Sequence, residues 1–164
     1  MPILDPNTLE FFSRSPEQTR RIGIRLGSLL QPGDVITLIG DLGSGKTTFT
    51  QGIAQGWGSA DPVTSPTFVI ANIYNRPDGR NLHHLDAYRL NDALEAEDLD
   101  LIAMLDNGAL VVEWAEKILK ALPSQYLQIQ MRYMDEEQRG MTFDPHGNRY
   151  KNMLSEFRKT ILGG

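Results

Sequence analysis

No cysteine occurs among the 164 residues, which excludes a disulfide frame and any thiolate-held metal and accords with a reducing compartment. The start, Met1-Pro2-Ile3-Leu4-Asp5-Pro6, lacks the basic-then-apolar order of an export leader. No apolar run approaches the roughly 20 residues that a bilayer-spanning helix needs. A cytoplasmic protein with no membrane partner is therefore expected. Basic residues are outnumbered: 16 Lys and Arg stand against 21 Asp and Glu, for a formal net charge of −5. No long Lys/Arg block interrupts that balance, so the chain is a poor candidate for gripping nucleic acid by itself. No DNA role is expected, and any RNA role should run through a partner. Repeats and low-complexity segments are absent too, and the length suits one domain over residues 1–164 with Gly163-Gly164 frayed.

What is present is concentrated at residues 40–47, Gly40-Asp41-Leu42-Gly43-Ser44-Gly45-Lys46-Thr47, a complete G-x-x-x-x-G-K-T phosphate-binding loop. Cradling a polyphosphate requires several backbone N–H groups turned inward, and glycines supply that freedom. Lys46 adds a mobile cation for the β and γ phosphates, and the Thr47 hydroxyl can ligate a bridging Mg²⁺. The flanks agree: Val35–Ile39 is a buried-strand run, and Phe49, Ile53 and Trp57 recur at helical spacing. The chain should bind a nucleoside triphosphate. An Asn-Lys-x-Asp guanine-reading motif is missing, which disfavours GTP.

Elsewhere Ser15-Pro16-Glu17-Gln18 reads as an N-cap, a proline at the first helical position and a capping-box Gln. The helix it starts has an apolar face of Ile22, Leu26, Leu29 and Leu30 and stops at Pro32-Gly33. Residues 67–74 and 81–86 read as a hairpin, and residues 92–105 as an acidic, leucine-rich helix. Ala109–Glu113 reads as a short buried strand, followed by a helix through Lys117, Ile118 and Leu119 that runs to Pro123. A second hairpin is expected from residues 126–134 and 139–143, then a terminal helix from about Tyr150 to Leu162. The sum is an α/β, three-layer P-loop NTPase-like domain with a mixed, mainly parallel central sheet plus antiparallel hairpin strands.

Hydrolysis needs a positioned metal and an oriented water as well as a phosphate cradle. Glu113 ends an apolar strand and Asp86 ends the first hairpin, so both carboxylates are candidates for those tasks. Ser65-Pro66-Thr67 is either a nucleotide-responsive loop or an ordinary proline turn. His83 and His84 are adjacent in a strand, face opposite sides and cannot chelate together; His83 reads as structural.

Four blocks, the loop with Thr48-Phe49, Val63-Thr64-Ser65-Pro66-Thr67-Phe68, His84-x-Asp86-x-Tyr88-Arg89-Leu90 and Val112-Glu113-Trp114, resemble the bacterial TsaE (YjeE) ATPases in order and spacing. The resemblance spans nearly the whole chain. It implies a Mg²⁺-dependent ATPase needed, with TsaD and TsaB, for threonylcarbamoyl modification of the tRNA adenosine beside the anticodon. Its low intrinsic activity would be activated by those partners and would drive turnover of the complex rather than the transfer, with tRNA met only through the assembly. Carried onto this chain, it makes Lys46, Asp86 and Glu113 catalytic and Thr47, Glu113 and Asp86 the metal positions. Nucleotide would be held by Asp41, Leu42, Gly43, Ser44, Gly45, Lys46, Thr47, Thr48, Trp114 and Arg139, and Ser65 and Thr67 would form the switch-like segment. No block marks an arginine finger; Arg89 or a partner could supply one. The alternatives are a small-molecule P-loop kinase, although residues 92–108 are acidic where an Arg-rich lid would be expected, and a non-hydrolytic nucleotide-gated binding module.

Overall fold

The computed structural model describes residues 7–41, 43–63, 71–88 and 100–162. Strands β1 (Leu9–Ser13), β2 (Val35–Ile39), β3 (Ala71–Tyr74), β4 (Asn81–Asp86), β5 (Gly108–Glu113), β6 (Tyr126–Tyr133) and β7 (Arg139–His146) form one sheet in the order β1-β7-β6-β2-β5-β4-β3. Pairing is parallel for β6-β2-β5-β4 and antiparallel for β1-β7, β7-β6 and β4-β3. The mixed α/β architecture is therefore as the sequence implies. With β5 on one side of β2 and β6 on the other, the carboxyl end of β2 opens into a crevice of the kind that takes ligands in parallel sheets.

Helices α1 (Pro16–Gly27), α2 (Lys46–Trp57) and α4 (Asn148–Leu162) cover one face, and α3 (Leu101–Asn107) lies beside the other. On the first face Leu26, Phe49, Ile53, Leu154 and Phe157 pack onto Ile36, Leu38, Leu127, Ile129 and Phe143. On the second, Val35, Leu85, Leu110 and Val112 pack with Leu101, Ile118 and Leu122. The start of α1 is capped as expected, the Gln18 amide donating to Ser15 Oγ at 3.1 Å while Gln18 Oε1 reaches one residue further back, to the Arg14 amide, at 2.7 Å. Among the described residues no helix is long and apolar enough to cross a membrane.

Two features position the phosphate loop. Helices α1 and α2 touch backbone to backbone: a Cβ added at Gly52 would lie 2.1 Å from the Arg20 carbonyl oxygen, and Gly23, Gly27 and Gly56 are equally confined. Beneath β2, buried Asp34 accepts from Arg149 Nε at 3.0 Å and Nη2 at 2.7 Å, and the Val35 amide donates to the Tyr150 hydroxyl at 2.8 Å. The last helix thus pins the turn that launches the central strand.

Two points differ from the expectation, an added edge strand and a helix that is absent. Leu9–Ser13 forms an edge strand that was not anticipated, because a run of only five residues interrupted by Glu10 carries little strand signal. The helix expected through Lys117 is only a 3₁₀ turn at Ala115–Lys117, followed by further turns up to Leu122. Of the acidic helix expected over 92–105, residues 92–99 lie outside the described residues, and α3 continues to Asn107. The first strand of the expected hairpin is described only from Ala71.

Candidate functional site

The carboxyl ends of β2, β4 and β5 converge on a cleft of about 730 Å³ whose lining includes Gly45, Lys46, Thr47, Asp86, Glu113 and Arg139. Gly43 and Gly45 have φ of +83° and +98°, the left-handed region that only glycine enters without strain. Gly45 is the N-cap of α2 and no side chain caps that end, so the first-turn amides and the positive end of the helix face the cleft. Ser44 is buried, and its Oγ has no hydrogen-bond partner among the described residues. A Cβ at Gly40 would collide with that oxygen at 2.5 Å. The loop is thus closed beneath by Gly40 and Ser44 and open above, as a polyphosphate cradle must be. Thr47 and Thr48 are half-buried at its rim, Asp41 is exposed, and Leu42 lies outside the described residues.

Lys46 Nζ donates to the Gly40 carbonyl at 2.5 Å and lies 3.7 Å from Glu113 Oε1. The other Glu113 oxygen is 2.6 Å from His84 Nε2, and His84 Nδ1 is 2.8 Å from the Tyr74 hydroxyl. A carboxylate only accepts, so Nε2 carries a proton and donates it to Glu113, leaving Nδ1 to pair with the Tyr74 hydroxyl. Burial works to raise the Glu113 pKa. The His84 hydrogen bond and charge, followed by the Lys46 charge and hydrogen bond, outweigh that and hold the carboxyl below its usual range. An ionised, buried carboxylate is thereby fixed beside the lysine of the loop.

Asp86 pairs in register with Glu113 across β4 and β5, so the two candidate acids stand side by side, and its Oδ1 accepts the Tyr88 amide at 2.8 Å. Trp114 has φ +59°, rare for a bulky residue. This turn brings its ring to 5.3 Å from Lys46 Nζ and 5.0 Å from the Tyr88 ring. Arg139 lies across Gly45, where an added Cβ would be 3.5 Å from its Nε. Its Nη1 is held by the Asp135 and Gln138 carbonyls at 2.6 and 2.8 Å, while Nε is buried without a partner among the described residues.

Of the residues expected from the sequence, Asp41, Gly43, Gly45, Lys46, Thr47, Thr48, Asp86, Glu113, Trp114 and Arg139 line one cleft; Ser44 is buried beneath the loop, and Leu42, Ser65, Thr67 and Arg89 lie outside the described residues. His84, Tyr74 and Tyr88 were missed as contributors. For His84 a signal existed: in a strand, His84 and Asp86 are two apart and share a face. Tyr74 carried none, since its contact depends on the register of β3 against β4. His83 points away from the cleft, on the face of Leu85, with both ring nitrogens unpartnered among the described residues.

Residues 13–141 match the family model for the threonylcarbamoyl adenosine biosynthesis protein TsaE. The chain belongs to the TsaE family. A Bacillus subtilis (strain 168) relative is 42% identical over 153 residues, covering 92% of this chain and 94% of its own. One from Streptomyces coelicolor is 46% identical over 114 residues, covering 68% and 77%. Both are named tRNA threonylcarbamoyladenosine biosynthesis protein TsaE. A crystal structure of Bacillus subtilis YdiB superposes with a TM-score of 0.77 at 37% identity, covering 94% of this chain and 96% of that one. The P-loop fold is thus shared with a solved relative.

The cleft fits Mg²⁺ and a nucleoside triphosphate. Glycines leave the loop open, the uncapped end of α2 favours an anion, and the paired acids and Thr47 line the same cleft. Among the described residues no cluster of three or more His, Asp or Glu could hold a metal. Mg²⁺ takes few protein ligands and keeps waters and phosphate oxygens, and Thr47, Asp86 and Glu113 are oxygen donors in this lining.

Proposed function

We propose that this chain is a Mg²⁺-dependent ATPase serving threonylcarbamoyl modification of tRNA, with TsaD and TsaB as partners. The observation that carries the ATPase reading is Lys46 of the phosphate loop held beside an ionised, His84-bound Glu113 at the mouth of a glycine cradle. The names of the relatives support the pathway. When bound, Mg·ATP supplies the reactive anhydride and a divalent charge that spreads the charge on the phosphates.

The chain's own groups do the rest. Lys46 would exchange the Gly40 carbonyl for phosphate oxygen, the first-turn amides of α2 would hold the polyphosphate, and Thr47, Asp86 and Glu113 would hold the metal and order the water. His84 and Tyr74 act as positioning residues that fix the Glu113 carboxylate. Arg139 is the one guanidinium among the described residues in this cleft's lining; its Nη1 is tied to the Asp135 and Gln138 carbonyls, which restrains it from reaching forward as an arginine finger. Such a finger is worth about a thousandfold or more. Hydrolysis is accordingly slow alone and faster with the partners, and its work is to reset the assembly.

The test is reconstitution with TsaD, TsaB and tRNA, following phosphate release and modified adenosine for the wild type, Lys46→Ala and Glu113→Ala. Multiple rounds of modification with Lys46→Ala protein would overturn the reading; a single round followed by arrest is the expected result.

A further inference from the structure

The net charge of −5 conceals a segregation of charge. Residues 14–27 and 148–162 hold eight of the sixteen basic residues, but only Glu17 and Glu156 among the twenty-one acidic ones. These are α1, with the two residues that lead into it, and α4, neighbours on one face of the sheet, and Arg25 joins them by donating to the Thr160 carbonyl. Two stretches distant in sequence therefore make one basic face, which no linear block of Lys and Arg announces.

Two shallow grooves cross that face along the β1 edge. The first, about 200 Å³, is lined by Phe11, Arg21, Arg25 and Ile161 among others. The second, about 180 Å³, is lined by Asn7, Lys151, Ser155 and Arg158 over Leu154. They adjoin on α4, where Arg158 and Ile161 stand three residues apart on one flank. No carboxylate lines either groove, and none of the four cations forms an ion pair among the described residues.

We infer that this strip is a docking surface for the phosphate backbone of RNA. Three of its four cations are arginines, whose planar forks match phosphate oxygens in pairs. The grooves are shallow and their floors, Ile22 and Leu154, are core residues, so no deep pocket receives the buried anchor a protein partner would bring. The rest of the chain is strongly acidic and repels a polyanion, which confines RNA to this edge and orients it. That the RNA is tRNA rests on the function proposed above; on that footing the chain touches tRNA directly instead of only through its partners.

The experiment measures binding of the full chain to bulk tRNA between 50 and 300 mM salt, comparing wild type, Arg21→Glu/Arg158→Glu and a control pair elsewhere, Arg80→Glu/Lys120→Glu. Four cations on phosphates give a log–log salt slope of about −3. The strip variant should lose about tenfold or more in affinity and flatten that slope, the control should change neither, and Arg21→Gln/Arg158→Gln should reproduce the loss more mildly. Equal losses in strip and control variants, a wild-type slope near zero, or strip variants that bind like wild type would each overturn the inference. Strip variants that lose the partner proteins while keeping tRNA would overturn it in favour of an acidic protein. Lys46→Ala separates the two readings: it should bind tRNA as wild type does, so failure of the ATPase reading leaves this binding intact.

Discussion

Trp114 and Lys46 are close enough to report on each other, with the ammonium 5.3 Å from the indole centroid. Nucleotide binding that draws Lys46 towards phosphate should change Trp114 fluorescence, whereas Trp57 is buried, donates to the Arg80 carbonyl and lies under Arg76, away from the cleft. Trp114→Phe should abolish the ATP-dependent signal and Trp57→Phe should keep it; the reverse pattern would refute the movement of Lys46. Glu113 makes a second residue-scale prediction. Folding lowers its pKa, so the folded chain gives up this proton more readily than the unfolded one. The stability it contributes is complete above the unfolded carboxyl pKa of about 4.3 and is lost as pH falls through the lower folded value. Glu113→Gln should therefore flatten the acid limb of a urea-midpoint profile between pH 3 and 7. His84→Gln, which keeps a donor, should retain more nucleotide-dependent signal than His84→Ala if the ring acts by positioning Glu113.

At the level of elements, α1 and α2 meet through glycines, and the Arg20 carbonyl occupies the space a methyl at Gly52 would need. Gly52→Ala should destabilise by about 1–3 kcal/mol or more, read as a lowered Tm, although alanine is the better helix former. Arg149→Met removes two charged hydrogen bonds from buried Asp34, a loss of about 1–3 kcal/mol, and should loosen α4 against the turn before β2. Elements whose signal is local were legible from sequence: the capped start of α1, the apolar run of β2 and the loop that opens α2. The β6–β7 hairpin was legible for the same reason, with polar Asp135–Gln138 at its tip. Edge strand β1 was not, because its identity comes from pairing with β7, more than a hundred residues away. The segment after Trp114 was misread because its apolar residues at helical spacing, Ile118 and Leu122, pack on the second core from a chain of turns. At the site, the acids could be read and His84 was within reach through the strand face it shares with Asp86, but its pairing with Glu113 and the Tyr74 contact are created by strand register.

Across the whole molecule, the two cores differ in extent: α1, α2 and α4 cover the first, whereas seven-residue α3 and a run of turns are the described cover of the second. Local opening should begin in this short helix and these turns, which carry few backbone hydrogen bonds of their own. Amide exchange should be fastest over 101–107 and 115–122 and slowest in β2, β6 and β7; uniform exchange over the chain would contradict this layering. The glycine crossing constrains the chain in a different way. When a side chain obstructs a larger replacement, a smaller neighbour can restore the fit, and a lineage can drift through paired changes. At Gly23, Gly27, Gly52 and Gly56 the obstruction is the main chain of the opposite helix, which no substitution there can shrink. A search for second-site suppressors of Gly52→Ala should return distant stabilising changes and none in α1, leaving these four positions as isolated points from which sequence space offers no stepwise exit.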